Sequence, residues 1–283
     1  YSRYDREPIK ATEDERMGIS DWRDLPEISG TKWDSTRFRR DSTNSPYGQF
    51  DIIPTVKDSE LYKTFALTDS SGEFEIFPAD DPKCQIILNN SSCIVPDTIT
   101  KRYNMNSERW IYSRLKRDNL FLTFDYDLSS NLTFFSDVLY YKSDTIQNNS
   151  PSAAFSTSRI IVPANNYWNP FGPVNFNDGR ANPNRVRLNN TGQDISQTIP
   201  DDGLPILIDW YRYVDVGPRV VNVEKDTYRF LFGLRGASKN WRWETAIFTS
   251  KANTDDITSN RLSNPLVEEA LSLSTPDAYN PVS

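Results

Sequence analysis

Thr227-Tyr-Arg-Phe-Leu-Phe-Gly-Leu-Arg235 runs into the polar turn Gly236-Ala-Ser-Lys-Asn240 and out again through Trp241 to Ala252. Both arms alternate apolar and polar residues, are rich in aromatic and β-branched side chains, and flank a short turn. They predict a β-hairpin. Asn119 to Asp127, the turn Leu128-Ser-Ser-Asn131 and Leu132 to Lys142 repeat the pattern. Strand side chains switch face at every residue, so parity separates two surfaces in each arm. Leu120, Leu122, Phe124 and Tyr126 oppose Phe121, Thr123, Asp125 and Asp127. Leu132, Phe134, Val138 and Tyr140 oppose Thr133, Phe135, Asp137, Leu139 and Tyr141. Tyr228, Phe230, Phe232 and Leu234 oppose Arg229, Leu231, Gly233 and Arg235, and Trp241, Trp243, Thr245 and Ile247 oppose Arg242, Glu244, Ala246 and Phe248. Through the centre of each arm, every charge has one parity. An Arg or Lys at a lipid midplane costs about 2–4 kcal/mol, so this segregation is what a lipid-facing side demands. Phe121, Phe135, Leu139 and Phe248 fall on the charged parity and blur the pattern; a plugged lumen or a soluble sandwich would each bury them.

The connections add a second signal. Pro8 to Asp118 and Ser143 to Asp226 are long, weakly periodic and rich in Asn, Asp, Ser and Pro. Structureless loops beyond about 12–15 residues are uncommon in compact soluble domains, whereas outer-membrane barrels have tight turns at one rim and long loops at the other. The expected fold is therefore all-β, an antiparallel transmembrane β-barrel segment (a partial barrel) with long extracellular loops. It divides into a first strand end and outer-loop region at 1–118, a hairpin at 119–142, a long loop with extended strands at 143–226, a hairpin at 227–252 and the start of another loop at 253–283. Ile206 to Val223 is expected to be extended and to continue the third arm above the membrane. Asn264 to Ser272 reads as a short helix with Pro265 in its first turn. Tyr126 and Trp241 beside the turns, and Tyr140 and Tyr141 toward the opposite strand end, suit interfacial girdles.

Composition narrows the classes. A net charge of -7 argues against nucleic-acid binding. The absence of His removes His triads, His zinc sites and His proton shuttles. An aromatic content of 13% speaks against disorder. No run of 18 apolar residues exists for a transmembrane helix, but a barrel strand needs only about 9–11 alternating residues. Cys84 and Cys93 suggest a local disulfide, worth roughly 2–3 kcal/mol, and with it an oxidising compartment; two free thiols remain the alternative. The chain opens at Tyr1 and closes at Ser283 in mid-pattern, so a fragment or processed segment is expected.

Arg212-Tyr-Val-Asp-Val-Gly-Pro-Arg219, Asp226-Thr-Tyr-Arg229, Gly233-Leu-Arg-Gly236 and Trp241-Arg-Trp-Glu244 follow one another in an order that resembles the barrel of TonB-dependent outer-membrane receptors. Asn169-Pro-Phe-Gly172, Arg117-Asp118 leading into Leu120 to Tyr126, and Asp277-Ala-Tyr-Asn-Pro281 are also similar to that family. The resemblance covers residues 105–283 and is weak over 1–104. It implies a complete protein with an N-terminal plug and a barrel of about 22 strands, solute binding at outer loops, and energy coupling through the TonB complex. This chain would hold only the early barrel, without plug, TonB box or final strands. The implied partners are a solute, outer-membrane lipid and, through the plug, the TonB complex. No cofactor and no catalysis are implied. The solute class (siderophore, cobalamin, glycan or peptide) is not resolved.

The stretch Asn165-Asn-Tyr-Trp-Asn-Pro-Phe-Gly172 with Asn177-Asp-Gly-Arg180 is the candidate ligand region. Rings of Tyr167, Trp168 and Phe171 would stack on a solute, and Asn169, Asp178 and Arg180 would give it directional hydrogen bonds. The competing reading has the rings packing the loop itself. Hard oxygens between Asn175 and Asn184 would suit Ca²⁺, though not at EF-hand spacing. Asp125 and Asp127 share a strand face about 7 Å apart, a separation comparable with glycosidase acid pairs; chance supplies such pairs among 39 acidic residues. Two other classes therefore compete with the importer: a secreted, soluble β-sandwich that binds glycans, and a β-rich glycosidase.

Overall fold

The computed structural model describes residues 1–35, 38–52, 73–88, 91–96, 101–188, 192–196 and 199–283. In chain order the strands are β1 (Ser2–Arg6), β2 (Ile9–Lys10), β3 (Gln49–Ile52), β4 (Glu73–Pro78), β5 (Ile86–Ile87), β6 (Ser92–Pro96), β7 (Trp110–Tyr112), β8 (Arg114–Ser129), β9 (Leu132–Asn149), β10 (Ala153–Phe155), β11 (Ile161–Val162), β12 (Ile206–Arg212), β13 (Arg219–Ser238) and β14 (Trp241–Ser259). One α-helix, α1 (Asn264–Leu271), follows, with Pro265 in its first turn. The protein is all-β, and its strand pairings are antiparallel. The chain divides into two compact units: residues 1–19, 106–150 and 218–260, and residues 20–105, 151–217 and 261–283.

The first unit is a five-stranded sheet in the order β1-β8-β9-β13-β14, beside the small pair β2-β7. The sheet is open: among the described residues its edge strands β1 and β14 do not pair with each other. The hairpins expected at 119–142 and 227–252 are the turn-proximal halves of strands 16 to 20 residues long. Their turns are tighter than the sequence suggests. Ser238 pairs with Trp241, which leaves only Lys239 and Asn240 in the loop, and Lys239 accepts a positive φ of 26°. Gly236 is a strand residue rather than a turn residue. It faces Trp243 across the pair, and a Cβ there would sit 2.6 Å from the indole ring. Both turns lie at one end of this sheet, and the chain leaves and re-enters the unit at the opposite strand ends.

The second unit overturns the picture of long structureless loops. Its sheet runs β10-β12-β3-β4-β6-β5, with β11 also on β12. Alternate residues Phe50 and Ile52, Phe74 and Ile76, and Ile206 and Ile208 are fully buried on one side, together with Phe171, Ile160 and Ile195. Val267 and Leu271 of α1 close over the same core. Phe77, Cys93 and Val95 form a small cluster of their own, beside the disulfide joining Cys84 to Cys93. These strands are too short to show periodicity in sequence. The polar residues between them are fasteners: Asn166, Asn169, Asn182 and Asn280 each accept the backbone N–H two residues on, the Asx-turn geometry that replaces a backbone turn bond. Arg212 and Arg185, both buried, donate to carbonyls: Arg212 to Asn44 and Pro151, Arg185 to Gly172, Ser196, Ile199 and Pro200.

Ile206 to Val223 is not one extended segment. β12 belongs to the second unit and β13 to the first. A 3-10 turn at Val214–Val216 and Gly217 at φ 81° part them. Glycine takes that conformation without steric cost, and Pro218 has no N–H to extend a ladder.

Candidate lipid-facing surface and ligand region

Antiparallel residues directly opposite one another share a face, so register decides whether the four apolar parities coincide. They do. Tyr126, Phe134 and Leu234 form one row with Thr245; Phe124, Ser136, Phe232 and Ile247 the next; Leu122, Val138, Phe230 and Thr249 the third; Leu120, Tyr140 and Tyr228 the fourth, with Lys251. One row further the same face turns ionic, with Asp118, Lys142 and Asp226 in line, and Arg3 of β1 opposite Asp118. From Trp243 to Lys251 the strand rises about 27 Å. The face stands open among the described residues: Leu122 is 54% exposed, Phe124 55% and Ile247 73%.

The opposite face mixes charge and apolar surface. Arg235 pairs with Asp125 and lies over the Phe135 ring, 4.9 Å from its centroid. Arg229 lies 5.6 Å from the centroid of Phe248, and Asp127 accepts from the Thr133 hydroxyl at 2.7 Å. Asp125 and Asp127 thus have separate partners, as solvated face residues do. Phe121 and Phe248 remain exposed on this side.

In the second unit the candidate ligand residues divide. Phe171 is fully buried, edge-on to Phe74 at 5.5 Å. Asn169 is 1% exposed; its amide donates to the carbonyls of Pro163 and Leu204 and its oxygen accepts from Phe171 N. Both hold the loop together and offer no solute a surface. Gly172 must stay small here, since a Cβ would lie 2.6 Å from Asn182 Nδ2. Trp168 is half-buried, with its indole N–H donating to Ala278 O at 3.0 Å. Tyr167 packs edge-on to Trp168 and stacks on Phe176 at 5.9 Å. Arg180 covers Phe176 from 5.6 Å, pairs with Asp178 at 2.6 Å and donates to Ser274 O. The Arg180 guanidinium and its backbone N–H hold the Asp178 carboxyl below the usual range. Tyr167, Phe176, Arg180 and Asp178 therefore form one stack. Phe176 is the member the sequence reading missed, although it stands close to the Asp178-Gly179 turn. Two of the Asn175–Asn184 oxygen donors are already engaged: Asp178 pairs with Arg180, and Asn182 Oδ1 accepts from Asn184 N.

A tyrosine chain closes this unit. Tyr211 Oη and Tyr279 Oη are 3.1 Å apart, and Tyr279 donates to Asp215 at 3.2 Å. Burial raises all three neighbours Tyr211, Tyr213 and Tyr279, Tyr211 to about 12.

The motifs behind the family resemblance have structural duties in this chain. Asn169 is a buried fastener and Phe171 a buried core ring, Arg212 is the buried donor, Ala278 O accepts from the Trp168 indole, Tyr279 N–H donates to Ala270 O of α1, and Arg219 donates to Ser150 O. No family model, no curated protein and no solved structure matches the chain.

Proposed function

We propose that this chain is part of an outer-membrane β-barrel of the TonB-dependent receptor type, in which the first unit faces lipid and the second presents solute-binding surface. In this reading it imports a solute and catalyses no reaction. The observation that carries it is the shared apolar face of β8, β9, β13 and β14, which is free of charge over three rows and becomes ionic at Asp118, Lys142 and Asp226. At a tilt near 40°, the rise of about 20 Å from Trp243 to Thr249 spans about 16 Å before Lys251, compared with the roughly 25 Å apolar band of outer-membrane barrels. Trp241 and Trp243 at one margin and Tyr140 and Tyr228 at the other suit the two interfacial belts. Turns at one sheet end and long excursions from the other accord with such a barrel. The open edges of β1 and β14 would be paired by further barrel strands, since hydrocarbon tolerates no unpaired edge.

A secreted glycan-binding module is the second reading. The exposure of Phe121 and Phe248 on the charged face is compatible with it, because a second protein layer would cover them as a barrel plug would. Reconstitution decides between the two. The chain is expected to require detergent and to float with liposomes after a urea wash. A monodisperse, folded chain in buffer without detergent would overturn the importer and leave the soluble module.

A further inference from the structure

We propose that the concavity between β5 and the 183–188 segment of the second unit binds a small aliphatic monocarboxylate. The space measures about 480 Å³, within the range of small-molecule sites. Ile87, Leu88, Leu188 and Pro183 supply aliphatic walls, and Ile87 and Leu188 are 67% and 55% exposed although both are large and apolar. Arg187 is the cation that serves it. Arg185 also lines the space, but its guanidinium is taken up by four carbonyls.

Arg187 has no carboxylate within ion-pair distance among the described residues. Asp194, the residue bridged to Leu188, feels the Arg187 charge at longer range but takes its hydrogen bonds from Ser196. The wall that carries Arg187 is fixed on both flanks: Val186 N donates to Pro170 O, Ile195 N to Arg187 O, and Asn184 Nδ2 to Tyr167 O. A fixed wall lowers the ordering cost of binding.

The lining selects the class. One guanidinium without a close ion pair among the described residues matches one carboxylate. A dianion would be undercompensated. An amino acid would bring an ammonium group, and no carboxylate lines the space among the described residues. Among the described residues no aromatic ring lines it either, which favours an alkyl body over a planar one.

The site stands on the second unit alone and does not depend on the membrane reading. The test is NMR titration of the purified chain with hexanoate, hexanol and hexylammonium. Hexanoate is expected to bind saturably and more tightly than the other two. Arg187→Gln should weaken hexanoate roughly 10-fold to 100-fold, the worth of a hydrogen bond to a charged group. Leu188→Asp, which places a carboxylate in the wall, should abolish binding, and Arg180→Gln should leave it unchanged. Hexanoate binding no tighter than hexanol, or equal binding by Arg187→Gln, would overturn the proposal without touching the reading of the first unit.

Discussion

Arg185 is 8% exposed and has carbonyls, not a carboxylate, as partners. Burial lowers its hold on the proton, partly offset by Asp201. Replacing it with Met would take the Arg185 donor from the carbonyls of Gly172, Ser196 and Ile199, the first and last of these in buried hydrogen bonds, while Pro200 O would keep Gly203 N. The second unit of Arg185→Met should lose at least about 3 kcal/mol, measured by urea unfolding. The buried tyrosines give a pH prediction. Their folded values lie above the ordinary phenol value near 10, so folding favours the protonated form. That contribution is complete below about pH 10 and declines as the pH rises through the value of about 12 for Tyr211. Spectrophotometric titration should show these phenolates appearing late, together with loss of the second unit's structure. None of this was legible in sequence: Arg185 stands among Asn and Pro residues that read as loop, and its partners lie 11 to 15 positions away.

Elements behaved differently according to length. Long strands declared themselves, because alternation over eight or more residues leaves little room for another reading. The ends of β13 did not, since Gly236 looks like a turn residue while its missing Cβ is used by the Trp243 ring. Gly236→Val should therefore destabilise the turn end of β13 and β14 by about 1–3 kcal/mol, seen as faster hydrogen exchange there than in β8. Leu122→Arg is expected to impair liposome insertion by about 2–4 kcal/mol, and Thr123→Arg, one residue away on the charged face, to have little effect. Equal effects of the two would remove the case for a lipid-facing side.

For the whole molecule, the division into two units predicts two unfolding transitions rather than one. Detergent removal should abolish the first unit's transition and spare that of the second, which has its own core. The disulfide acts within that second unit. Cys84→Ser with Cys93→Ser should cost it roughly 2–3 kcal/mol, raise hydrogen exchange across Ile86–Ile87 and Ser92–Val95, and leave β13 and β14 unaltered.

Residues 119–142 and 227–252, by themselves, determined two antiparallel hairpins and an uncharged parity in each arm, since period and parity are local properties of a strand. The short helix with Pro265 was equally local. Whether the four uncharged parities meet on one surface was a matter of register, which depends on hydrogen bonds between strands up to about a hundred positions apart. That the polar stretches build a core around Phe50, Phe74 and Ile206 was likewise decided in three dimensions. Strands of two to seven residues carry too little pattern to be read alone, and they become stable only through partners that the linear order keeps far away.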